Sequence, residues 1–191
     1  MKFFVIAFFL IFFSSLPSHS ASYEWGQFNG WDVGVNEESN FGCYVLSPSY
    51  EDGSVIKLGF INLQSAENNF YLYLGNLNWS SLRDGEVIPM EINFFPYKSA
   101  YNGDAIVESV SGHNFLQFNI DDDDFLADFA KKDAIDFLYK GRSIAYLTLD
   151  GSYTALREFL NCQLAVAESG IANVALKRQL KKKNPRDPFA E

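Results

Sequence analysis

Beyond its first twenty residues the chain has one histidine, His113, and two cysteines, Cys43 and Cys162, which restricts the chemistry open to it. A Ser–His–Asp triad would have to use His113. It follows Gly112 in what reads as a strand connection, so an ordinary loop histidine is expected. One histidine and two distant cysteines serve a zinc site poorly. Four successive carboxylates, Asp121, Asp122, Asp123 and Asp124, are the most conspicuous acidic group. Calcium takes six to eight oxygens, but consecutive residues do not converge on one ion, and the run lacks the spacing of an EF-hand loop. Helix capping with acid at the positive end of the dipole accounts for the run, with calcium ligation as the alternative. Gly26, Gly30 and Gly34 are not followed by the Lys-Ser/Thr ending of a phosphate loop, so no cofactor is expected. Carboxylate pairing for glycoside hydrolysis stays open, because 24 acidic residues offer many pairs.

Residues 1–20, MKFFVIAFFLIFFSSLPSHS, place Lys2 before an unbroken apolar run from Phe3 to Phe13, then Pro17 and the small residues Ser18 and Ser20. This is the pattern of a secretory signal peptide, cleaved after Ser20. As a helix the apolar run would rise only about 16 Å, half a bilayer core, which argues against a membrane anchor. No later stretch is apolar for long enough to span, so the mature chain is expected in the periplasm or secreted, without a transmembrane segment. In an oxidising compartment Cys43 and Cys162, 119 positions apart, read as a disulfide. Two free thiols are the alternative. Asn78-Trp79-Ser80 is a glycosylation sequon, meaningful only in a host that glycosylates exported proteins.

Charge is divided along the chain. Residues 21–176 carry 8 Lys and Arg against 22 Asp and Glu, net −14. Residues 177–191 carry 6 against 2, net +4. So acidic a body excludes a nucleic-acid partner, which needs a basic face for phosphate. The expected organisation is a leader over 1–20, one exported domain over 21–176, and a solvated, disordered basic tail over 177–191.

The elements that position these residues are mostly strands. WDVGV (31–35), CYVLS (43–47), SVIKLGFINL (54–63) and NFYLYLGNL (69–77) are short runs divided by turn signals. In the last, Phe70, Leu72 and Leu74 alternate with Tyr71, Tyr73 and Gly75, an aliphatic face and a tyrosine-bearing one. EVIPMEINFF (86–95) holds Pro89, the mark of an edge or bulge. Asn102-Gly103 predicts a tight turn before DAIVESV (104–110), and FLQFNI (115–120) follows. A short helix is expected near 121–133, then a hairpin over 134–149. A C-terminal helix is expected near 152–169, with Leu156, Phe159, Leu160 and Leu164 at helical spacing and Gly170 at its end. The class is α+β, mainly antiparallel β, sandwich or barrel-like.

Trp31 and Val33 ahead of Cys43, a strand-rich middle, a helix before a strand pair, and Leu149, Gly151, Ala155 and Leu156 leading to Cys162 form an ordered set. In this the chain resembles small bacterial periplasmic proteins of the invasion-associated locus B family, over roughly residues 25–163. It departs from that pattern in having no cysteine in its middle third. The resemblance implies a disulfide-linked, β-rich envelope protein connected with host association, and carries over no catalytic residue. The expected function is therefore non-catalytic binding of another envelope or host protein. A carboxylate-based hydrolase of polysaccharide or peptidoglycan is the alternative, requiring two facing acids in an aromatic-walled cleft.

Overall fold

A computed structural model of the protein describes residues 22–36, 42–60 and 70–183. The expected leader and residues 184–191 of the basic tail lie outside the described residues.

Among the described residues ten strands form one antiparallel sheet, and two helices pack on it. The strands are β1 (Ser22–Phe28), β2 (Trp31–Asn36), β3 (Gly42–Leu46), β4 (Ser54–Phe60), β5 (Phe70–Asn76), β6 (Val87–Phe95), β7 (Ser99–Val110), β8 (His113–Ile120), β9 (Ala134–Tyr139) and β10 (Arg142–Thr148). Helix α1 is Asp123–Lys131 and α2 is Ser152–Lys183. The sheet order is β1-β2-β3-β4-β5-β8-β7-β6-β9-β10, with β1 and β10 as its edges. A five-strand meander is thus followed by a second meander laid down in reverse, β8 against β5. α1 carries the chain from β8 back across to β9.

Strand alternation builds one core. Ile56, Leu58, Leu72, Leu74, Leu116, Phe94 and Phe137 point inward with Trp31 and the helix residues Phe125, Phe129 and Phe159. The two arms of the sheet are tied by side chains rather than by strand pairing. The Trp31 indole packs edge-on against Phe129, with centroids 5.7 Å apart. The Tyr50 hydroxyl donates to the Thr148 carbonyl, and the Asn29 amide to the Thr154 hydroxyl. Cys43 of β3 and Cys162 of α2 form a disulfide, both fully buried. No helix among the described residues is long and apolar enough to cross a membrane.

Four local expectations are corrected. Ser22–Phe28, not anticipated as a strand, pairs with β2 across an Asn29-Gly30 turn in which both residues have positive φ. Asn102-Gly103 is no turn. It lies inside β7, paired with Glu91 and Met90, and the reversal is made by Pro96, Tyr97 and Lys98. Leu160 and Leu164 are exposed, and the packed face of α2 is Ala155, Leu156, Phe159, Cys162, Ala165 and Val166. The helix also continues through Gly170 to Lys183. One helical glycine costs about 1 kcal/mol relative to alanine, set against neighbours rich in Ala, Leu, Lys and Arg. Pro89, as its type suggested, sits where β6 lacks a partner on one side: β9 pairing begins only at Glu91.

Candidate functional site

Residues that alternate with the core positions lie on the outer face of the sheet, and across β3, β4, β5, β8 and β7 they build a groove. Its shape starts from three glycines. Gly34, Gly59 and Gly75 stand directly opposite Tyr44, Tyr71 and Phe115 on neighbouring strands, and each aromatic ring lies over its glycine. A Cβ on Gly34 would meet the Tyr44 hydroxyl at 2.6 Å, and one on Gly75 would meet the Phe115 ring at 2.7 Å. The missing side chains let the rings lie down on the sheet.

The result is a groove of ≈ 480 Å³ floored by β5, with Leu46, Val55, Tyr73, Phe115 and Val110 among its apolar walls. Its charged residues are Lys57 and Glu108. The Lys57 ammonium sits over the Tyr44 ring, 4.4 Å from the centroid, and 5.9 Å from that of Tyr71. The Tyr73 hydroxyl contacts Glu108 Oε2 at 2.7 Å and Gln117 Oε1 at 3.0 Å. Burial, then the Glu108 carboxylate, pushes the Tyr73 phenol well above its ordinary range. Tyr73 is therefore a neutral donor at physiological pH, and Glu108 is held by it.

Beside the groove the outer face stays apolar. Val87 of β6 lies opposite Ile106 of β7, which lies opposite Gln117 of β8. Val87 is 57% exposed, Ile106 41% and Val110 53%. Exposed aliphatics on β6 and β7 thus adjoin an aromatic groove whose lining carries one cation and one anion, on a body of net −14.

The acids singled out in the sequence are placed elsewhere. Asp122 is the N-cap of α1, its side chain accepting from the Asp124 amide at 2.8 Å, and Asp123 and Asp124 fill the first turn. Among the described residues no three His, Cys, Asp or Glu side chains are grouped to hold a metal ion. His113 is exposed at the start of β8. A second, more open hollow over β6, β7 and β9 holds Glu91 and Asp104. There the Asn93 amide and Lys98, at 2.9 and 3.0 Å, hold the Glu91 carboxyl below its usual range, the wrong direction for a general acid. The hydrolase reading needs two acids between aromatic walls, and the aromatic-walled groove holds one.

No family model and no curated protein matches the chain. Among solved structures the fold is similar to that of invasion associated protein B from Bartonella henselae, with a TM-score of 0.50. The likeness spans 75% of this chain and 99% of that one at 10% sequence identity. What the two share is the fold. The ordered positions from Trp31 to Cys162 therefore tracked an architecture. The groove was not anticipated. The tyrosine face of β5 was legible, but which strand lies beside it was not, since β8 rather than β6 is its neighbour.

Proposed function

We propose that this is an exported, disulfide-linked envelope protein that acts without catalysis, by binding another protein of the envelope or of a host. The apolar strip and groove on the outer face of β3, β4, β5, β8 and β7 carry the reading. A patch that joins aromatic and aliphatic side chains and is poor in charge has the composition of the centre of a protein interface. Here it is set into a strongly acidic surround, which repels acidic competitors and favours a partner with a basic rim. The leader over 1–20 and the Cys43–Cys162 disulfide support delivery to the periplasm or beyond after cleavage near Ser20. The similar fold belongs to a protein described as invasion associated, which favours host association.

The test is a cross-linked pull-down from an envelope extract with the unaltered protein and an Ile106→Lys/Val110→Lys variant. Both positions are exposed, so the variant keeps its fold. A discrete partner held by the first and lost by the second is expected. The same proteins on both, or none on either, would overturn the reading.

A further inference from the structure

At the β7 side of the outer-face groove two rings and a carboxylate meet. The Phe115 ring lies down over Gly75, and Phe115 stands opposite Glu108 in the β7–β8 register. The Tyr73 ring is turned 82° to that of Phe115, with centroids 6.3 Å apart, and its hydroxyl reaches Glu108 Oε2 at 2.7 Å. Phe115 is thus a floor, Tyr73 a wall, and Glu108 the anion at their edge. Among the described residues the Glu108 carboxylate accepts from Tyr73 alone and joins no ion pair. A carboxylate has room for about four donors, so most of this one's capacity is open to a ligand.

We propose that this corner receives an arginine side chain of the partner protein, its guanidinium laid on Phe115 and paired with Glu108. The inference rests on the reading of the outer face as a protein-binding surface and names what that surface recognises. Ring faces attract cations, and a carboxylate beside them fixes the direction of approach. A guanidinium is planar and carries its donors in a fork, so it stacks on a flat ring while its edge meets the carboxylate. An ammonium is a strongly hydrated point charge without that plane, and a quaternary ammonium offers no donor at all.

The groove's own cation does not compete for the corner. Lys57 belongs to β4, with β5 and β8 between it and β7, and its ammonium is drawn over the Tyr44 ring. At ≈ 480 Å³ the groove is larger than one side chain. Val55 and Val110 in its walls suit apolar residues on either side of the arginine. The body of net −14 draws such a basic segment toward the face.

Nuclear magnetic resonance on the protein, expressed with its own leader and recovered disulfide-bonded, tests it. The blocked peptide acetyl-Leu-Arg-Leu-amide is titrated into the millimolar range, beside versions with citrulline or lysine in place of arginine. Saturable shifts of the Phe115 ring and the Val55 and Val110 methyls are expected, with the citrulline peptide about tenfold weaker. Glu108→Gln, which keeps an acceptor for Tyr73, should weaken the arginine peptide by a similar factor and leave the citrulline peptide unchanged. Equal binding of all three peptides, or an arginine affinity indifferent to Glu108→Gln, overturns the proposal. So does saturation of the same resonances by the neutral oligosaccharide maltotriose and by no arginine peptide. If no peptide binds while the outer face still captures a partner protein, the arginine is wrong and the protein-binding reading stands. If no partner is captured, that reading falls as well.

Discussion

The indole Nε1 of Trp31 donates a 2.8 Å hydrogen bond to the main-chain carbonyl of Asp150, 119 residues further along the chain. The Cys43–Cys162 disulfide spans the same separation. Both ties join the first strands to the segment that follows β10. A ten-stranded sheet whose edges do not pair with each other gains closure this way, by a helix and its attachments. The Cys43 amide adds a third tie, donating to the Gln163 side chain at 2.8 Å.

Loss of the disulfide should be the most damaging change to stability. Cross-linking shrinks the unfolded ensemble in proportion to the logarithm of the loop, and a loop of this length is worth up to about 4–5 kcal/mol. Urea unfolding of Cys43→Ala/Cys162→Ala should show a loss of that order, with a larger slope on denaturant because the unfolded chain expands.

The glycines beneath the rings admit no side chain. Gly34→Ala brings a methyl against the Tyr44 hydroxyl and within 2.9 Å of the Tyr23 carbonyl, which is backbone and does not swing away. Overpacking of this kind costs about 1–3 kcal/mol. The midpoint of chemical unfolding should fall accordingly.

Tyr50 links the β3–β4 connection to the end of β10. Burial pushes its phenol up to about 12 from an ordinary value of about 10. The unfolded chain loses that proton first, so between these values the native state binds more protons. Stability is therefore complete below about pH 10 and falls as pH rises toward 12. Tyrosinate absorbance should show one fewer late-titrating tyrosine in Tyr50→Phe, and that variant's stability should fall less steeply with pH over the same window.

Asp122 acts as a cap. Asp122→Ala should cost about 1 kcal/mol, the ordinary worth of an N-cap side chain. Thermal unfolding with and without EDTA should give the same difference between variant and parent. A difference that vanishes with EDTA would restore the calcium reading of Asp121–Asp124.

Turn dipeptides show how far the sequence could be read. Asn29-Gly30 and Asn102-Gly103 are the same pair of residues, yet only the first turns the chain. Reversal at Pro96–Lys98 leaves Asn102 and Gly103 opposite Glu91 and Met90, so the long pairing of β6 with β7 overrides the local signal. Strand identities and the core face of β5 follow from alternation, which is local. The groove does not, because it needs Tyr73, Glu108 and Gln117 on three strands brought together by the β5–β8 pairing. Leu160 and Leu164 mislead for a related reason. Over residues 153–167 both faces of α2 are apolar, and helical spacing alone does not say which one the sheet covers.

Site-specific photo-cross-linking in the living cell tests the binding surface most directly. A photoreactive residue is placed at Ile106, Val110 or, as a control, exposed Arg142 at the β9–β10 turn. The account predicts a discrete adduct with a second protein from Ile106 and Val110 and none from Arg142. Equal yields from all three positions, or no adduct from the outer face, would contradict it.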